Sequence, residues 1–186
     1  MAILKIKLDL DKLLKQAEPD RRKRVAFTPY INSDAAKREF GKLCIDKILE
    51  RTNSGKDKDG EGFTGYSTAY KKSLKFKIYD KTNKVNLKLT GQMQSDIDVI
   101  KVEATSVTIG FVNREEELKA LGHINGANDL PIRNFWGISQ EEQYEIFKGV
   151  IKDIASEIDT AELIDEEGRT FTPLNSTGTE FDVEEN

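Results

Sequence analysis

Ile97-Asp98-Val99-Ile100-Lys101-Val102-Glu103-Ala104-Thr105-Ser106-Val107-Thr108-Ile109-Gly110-Phe111-Val112 decides the fold class. In the first run Ile97 and Val99 share one face, and Ile100 and Val102 crowd in beside them. In the second, Val107, Ile109 and Phe111 alternate with small or polar residues. Period-2 runs rich in β-branched and aromatic residues fit a pleated, half-buried surface. The two runs flank Ala104-Thr105-Ser106 and so predict an antiparallel hairpin, 97–103 with 106–112.

Further sheet material lies upstream. Ala2 to Leu8 alternates from Leu4 on, with Lys5 and Lys7 between apolar residues. It reads as an edge strand rather than a signal peptide, since it has no long apolar run. Leu87 and Leu89 alternate around Lys88, a possible fourth strand over 86–89. Asp9 is placed to cap a short helix carrying Leu13, Leu14 and Ala17, ended by Pro19. Residues 33–52 predict a long helix capped by Asn32 or Ser33, with Ala36, Phe40, Leu43, Cys44, Ile48 and Leu49 inward. Residues 140–158 predict a second, with Tyr144, Phe147, Val150, Ile151, Ile154 and Ile158 inward. Two long helices beside a small antiparallel sheet make an α+β fold, with both helices expected on one face of the sheet.

Shorter pieces fill the rest. Tyr66 to Leu74 reads as a short helix, and Phe76, Ile78 and Tyr79 as a strand or extended arm. Thr90 is expected to cap a helical turn after Gly91. Residues 114–122 read as a helix with Arg114 and Glu115 to Glu117 outward and Leu118 and Leu121 inward. The segment 54–65 (Ser-Gly-Lys-Asp-Lys-Asp-Gly-Glu-Gly-Phe-Thr-Gly) reads as a mobile surface loop that orders when neighbours assemble. Its acids Asp57, Asp59 and Glu61 do not meet the calcium-loop pattern, and no Gly-Lys-Ser/Thr makes it a phosphate loop.

Gly122 to Ser139 holds the only His, His123, and the only Trp, Trp136. By composition it is a loop, with Gly126 and Asn128 tolerant of positive φ and Pro131 forcing an extended approach. Ile132, Phe135, Trp136 and Ile138 form its expected apolar centre. Ser139 with Glu142 spells a capping box opening the last helix. The bland role for such a loop is to fix how that helix docks.

The same loop carries a resemblance. Leu130-Pro131-Ile132-Arg133-Asn134-Phe135-Trp136-Gly137-Ile138-Ser139 resembles the P-x-R-x-F-L-G-L-S signature of phage virion-morphogenesis and tail-completion proteins of the phage Mu type. His123-Ile124-Asn125-Gly126 is similar to that family's H-Q-x-G. Leu87 to Ile97, with Thr90 and Gly91, resembles its L-x-x-T-G-x-L-x-x-S-I. Val107-Thr108-Ile109-Gly110 is similar to its V-x-I-G, and Tyr66 to Lys72 to a Y-x-x-x-K element. The matches run in the family's order over roughly residues 60–155. Trp136 stands where the family usually has Leu, and nothing there corresponds to the acidic end of this chain. The resemblance implies a structural protein that finishes the tail or joins it to the head. It also implies self-association into a ring, commonly six-fold, in contact with other neck or tail proteins.

Charge is unevenly placed. The formal net charge is −4, yet residues 153–186 hold eleven acids and one base, leaving an excess of six bases in residues 1–152. Residues 160–186 are therefore read apart from a single domain over 1–159, as an acidic C-terminal tail or arm. Phe171, Leu174 and Phe181 are apolar beads in it. It is either disordered or an extended arm anchored by those residues on a neighbouring subunit. With 33% charged residues and no long apolar stretch, no membrane partner is expected.

Chemistry is sparse. His123 has no nucleophile motif near it and reads as a structural hydrogen-bonding residue. Cys44 lies on a helical apolar stripe and reads as core. No metal-ligand spacing appears, so neither metal, cofactor nor catalytic residue is expected. The candidate sites are instead structural: Thr90, Gly91, His123, Gly126, Pro131, Arg133, Phe135, Trp136, Gly137 and Ser139. Lys56, Asp57, Lys58 and Asp59 join Phe171, Leu174 and Phe181 as candidate interface. The functional expectation is a virion protein of the neck or tail, made in the host cytoplasm. The alternative is a nucleic-acid-binding accessory protein using Arg21-Arg22-Lys23-Arg24 and the lysines of 71–88.

Overall fold

A computed structural model describes residues 4–18, 21–158, 163–164 and 170–171. Its sheet has three antiparallel strands: β1 (Lys5–Asp9), β2 (Ile97–Val102) and β3 (Ser106–Phe111), in the order β1-β3-β2. β3 is central and all six of its residues are buried. Leu8 pairs with Val107 on one side, and Val99 with Ile109 on the other. The register slips between Val99 and Lys101, leaving Ile100 as the extra residue of a bulge. That is why two apolar residues stand side by side in an otherwise alternating strand.

The remaining elements are α1 (Leu10–Ala17), α2 (Arg21–Ile31), α3 (Asp34–Asn53), α4 (Thr68–Lys72), α5 (Leu74–Ile78), α6 (Gln92–Ser95), α7 (Arg114–Asn125) and α8 (Gln140–Ile158). The fold is α+β. Asp9 caps α1, accepting from the Lys12 N–H, and Ser33 caps α3 through the Ala36 N–H. α3 lies across β2 and β3. α8 packs principally on α1 and α3, with Phe40 and Phe147 edge to face at 5.6 Å. Cys44 is fully buried between these layers, and burial pushes its thiol up to about 12. Lys37, also buried, donates to the Glu103 and Ala104 carbonyls at 2.9 and 3.3 Å and so pins the hairpin turn to α3. Beyond α8, β4 (Leu163–Ile164) and β5 (Thr170–Phe171) pair antiparallel. Leu174 and Phe181 lie outside the described residues.

Several expectations are corrected. Residues 74–78 are helical, not extended: Ser67 and Ser73 each cap a short helix, accepting from the Tyr70 and Phe76 N–H groups. Residues 86–89 are not a strand. Leu87 sits at φ 52°, and the Asn86 side chain accepts from Lys81 Nζ and the Lys88 N–H. Gly91, at φ 92°, is the N-cap of α6, and Thr90 contributes only an Oγ1 that accepts from the Gln92 N–H. α7 departs from expectation at three positions, Glu116 and Glu117 being buried and Leu118 52% exposed, while Glu115 is exposed as expected and Leu121 is half-buried. Glu117 faces inward because its carboxylate accepts from the Leu4 N–H beside β1 and from Arg114. α7 also runs on through Asn125, so His123 is helical and the loop begins only at Gly126, the αL C-cap at φ 70°. Leu43 is 39% exposed, while Ile45 is buried in its stead, because α3 is covered from two sides that leave positions 43, 46, 47 and 50 open.

Two helical glycines make opposite statements. A Cβ on Gly41 in α3 would meet Val99 Cγ2 at 2.7 Å and Val107 Cγ2 at 3.3 Å, so this glycine lets helix and sheet approach. Among the described residues a Cβ on Gly149 in α8 would meet nothing within 4 Å. Gly41→Ala is expected to lower stability by about 1–2 kcal/mol through overpacking against stiff valines. Gly149→Ala is expected to raise it by about 0.5–1 kcal/mol through helix propensity. Chemical denaturation of both variants checks the pair.

Candidate functional site

The loop from Gly126 to Ser139 is held by two buried arginines. Arg51, three residues after the buried Ile48 on α3, ends that helix's apolar stripe. Its guanidinium reaches Glu142 Oε1 at 2.7 Å and Oε2 at 2.9 Å through Nη1. Through Nη2 it donates to the carbonyls of Phe135 (3.4 Å) and Gly137 (2.5 Å). Glu142 closes the expected capping box: it accepts from the Ser139 N–H at 2.9 Å, and Ser139 Oγ accepts from the Glu142 N–H at 3.0 Å. One carboxylate thus ties α3, the loop and the first turn of α8. Burial works to raise the Glu142 carboxyl, but the Ser139 N–H, the Arg51 hydrogen bond and charge, and the Ser139 hydroxyl outweigh it and hold it below the usual range.

Arg133 is the second. It is buried, and its backbone N–H donates to the His123 carbonyl at 2.8 Å. Its side chain donates through Nε and Nη2 to the Thr64 carbonyl (3.1 and 3.0 Å) and through Nη2 to that of Gly65 (3.4 Å). It also lies over the Tyr66 ring at 5.6 Å. Tyr66, Tyr70 and Phe76 form a ring cluster with centroids 5.1–5.7 Å apart, which attaches α4 and α5 to the rest of the chain. Burial lowers the Arg133 pKa, opposed by the two tyrosines. Burial and the nearby Arg133 lower the His123 pKa, and its Nδ1 is buried with no hydrogen-bond partner among the described residues. Its expected hydrogen-bonding role is carried by its backbone carbonyl.

The loop's core is narrower than expected. Phe135 and Trp136 are buried, with Trp136 5.2 Å from the Phe111 ring, but Ile132 is 66% exposed. Pro131 and Gly137 are half-buried, and Gly137 leaves room for the Lys58 stem, whose Cβ and Cδ lie 3.2 and 3.1 Å from where a Cβ would stand. The 54–65 loop closes on itself and on this site without a neighbour. Lys56 bridges Gly62, Asp57 accepts from the Asp59 and Glu61 N–H groups at 2.9 Å, and the Lys58 N–H donates to the Asn134 carbonyl at 2.8 Å. The Asp57 carboxylate therefore shapes a turn. Asp59 is exposed and pairs with Lys58.

Thr90 and Gly91 serve α6 rather than this clasp, whereas His123, Gly126, Arg133, Phe135, Trp136, Gly137 and Ser139 are brought together. Arg51, Tyr66 and Glu142's second role were missed from sequence. A basic residue at the end of a buried stripe, in register with Cys44 and Ile48, was the available signal for Arg51. Among the described residues no group of three or more His, Cys, Asp and Glu is placed to hold a metal, and no helix is long and apolar enough to cross a membrane. No protein-family model, curated protein or solved structure matches the chain.

Glu142→Gln removes the charge opposite a buried guanidinium and is expected to cost about 2–3 kcal/mol at neutral pH, discounted for the carboxylate's partial exposure. Because the folded carboxyl sits below its unfolded value, near 4.3, its contribution is present above that pH and lost as pH falls through the folded value. The gap between wild type and variant should therefore close below about pH 4, as read by urea denaturation across pH.

Proposed function

We propose that this chain is a structural subunit of a tailed-phage virion, of the tail-completion or head–tail joining kind, which self-associates into a ring at the neck or tail end. The observation that carries the reading is the use made of the signature residues. Arg133, Phe135, Trp136, Gly137 and Ser139 are engaged with one another, with Arg51 and Glu142, and with the 58–65 loop. A motif used in this way organises a subunit and leaves its outer faces for neighbours. Those faces carry large apolar side chains in the open: Leu74, Ile78, Leu118, Leu130 and Ile132. Exposed apolar groups rimmed by charge mark association surfaces. The uneven charge, acidic beyond Asp153 and basic before it, suits contact between the front of one copy and the back of another.

The nucleic-acid alternative would use a basic run of which one member is engaged within the chain. Arg24 turns back to donate to the Glu18 carbonyl at 2.8 Å.

Light scattering coupled to size exclusion, with negative-stain imaging of the peak, tests the reading. A defined oligomer, seen as rings and close to a hexamer in mass, is the expected result. A monomer at all concentrations, with DNA retention falling steeply as salt rises, would overturn it in favour of the nucleic-acid alternative.

A further inference from the structure

A groove of about 540 Å³ runs between α3 and α8. Its floor is apolar, made by Leu43, Ile146, Val150 and the bare backbone of Gly149. Asp46, Glu50, Glu145 and Asp153 also line it and outnumber Lys47. Gly149 is the informative residue. Glycine in the middle of a 19-residue helix weakens it. Among the described residues a Cβ there would meet nothing within 4 Å, so none of their contacts accounts for it. The missing side chain deepens a groove that the described residues leave unfilled, and the open Leu43 lies beside it.

The α4–α5 arm is the matching part. Leu74 and Ile78, four residues apart on α5, are 70% and 66% exposed, and Tyr79 follows at 44%. Lys71, Lys72, Lys75 and Lys77 surround them, all exposed. Residues 66–95 hold seven lysines and one acid, Asp80, a surplus of six that equals the whole positive excess of residues 1–152. The arm is thus a short basic helix with an apolar edge, and the groove is an apolar trough lined also by acids. A helix laid into a groove, with anchors at i and i+4, is a recurring mode of recognition.

We infer that the α3–α8 groove is the socket for the α4–α5 arm of a second copy of this chain, Leu74 and Ile78 seating over Gly149. The proposal rests on the self-association put forward above and names its contact. Arm and socket are different surfaces, so the contact is heterologous; repeated, it closes a ring or runs on as a filament. The lysines add charge complementarity, which sets orientation and makes the contact weaken with salt.

The test is disulfide trapping between full-length single variants. Leu74→Cys and Gly149→Cys, one carrying a mass tag, are mixed and mildly oxidised; the buried Cys44 stays out of the reaction. A cross-linked pair containing one of each variant, absent when either is oxidised alone, is the expected result. Separately, Ile78→Glu should weaken association at least about tenfold, as expected for an interface anchor, while leaving the melting temperature unchanged. A defined oligomer by mass with no mixed cross-link overturns the socket and leaves the assembly reading standing. A monomer with no cross-link overturns both. A Leu74→Cys, Gly149→Cys double variant that closes within one chain, at unchanged mass, overturns the intersubunit form.

Discussion

The Arg51 guanidinium is the joint on which the rest of this structure depends. It ends the helix that covers the sheet, grips both oxygens of Glu142 at the start of the last helix, and takes two carbonyls from the loop between them. A planar fork is suited to this, because it can satisfy a carboxylate and two carbonyls at once in fixed geometry, which an ammonium cannot. Burying that charge is costly in itself. It is offset only because each partner is held by something else: Glu142 by the Ser139 cap, and Phe135 and Trp136 by the core. The loop's aromatic residues and its capping box therefore act together, and α8 docks where Arg51 directs it.

From that joint the second arginine extends order outward. Among the described residues Arg133 has no carboxylate partner; its charge is met by the Thr64 and Gly65 carbonyls and the Tyr66 ring. Through Tyr66 the aromatic cluster holds α4 and α5 at the edge of the molecule, so these short helices expose their leucine, isoleucine and lysines. Stiff interior and open arm are consequences of one loop. Gly41 has no room for a methyl group, whereas a Cβ on Gly149 would meet none of the described residues within 4 Å, so only the first glycine is required by the packing of helix on sheet.

What could be read from sequence was what is local. The hairpin was legible because alternation survives in both strands, and even Ile100 has its explanation in a one-residue bulge. Asp9, Ser33 and the Ser139–Glu142 box were legible because caps act over three or four residues. The failures share a cause. Phe76 and Ile78 alternate like a strand, but Ser67 and Ser73 set helix starts that outweigh so short a pattern. Glu117 looked like a solvent residue, and faces inward only because a backbone N–H 113 residues away needs an acceptor. Leu43 looked like core, and is left open by the way α8 lies against α3. Arg51 belongs to no local motif, and its partners are 84 to 91 residues away. Half the signature site was therefore visible as motif, and the half that holds it in place was not.

The most direct measurement is a double-mutant cycle on Arg51→Met and Glu142→Leu, read by urea denaturation at neutral pH. If the pair is the joint described here, each single change costs far more than the double, with a coupling of at least about 2 kcal/mol. A coupling near zero, with the two losses simply adding, would mean that α8 is docked by its apolar face alone and that the arginine fork is incidental.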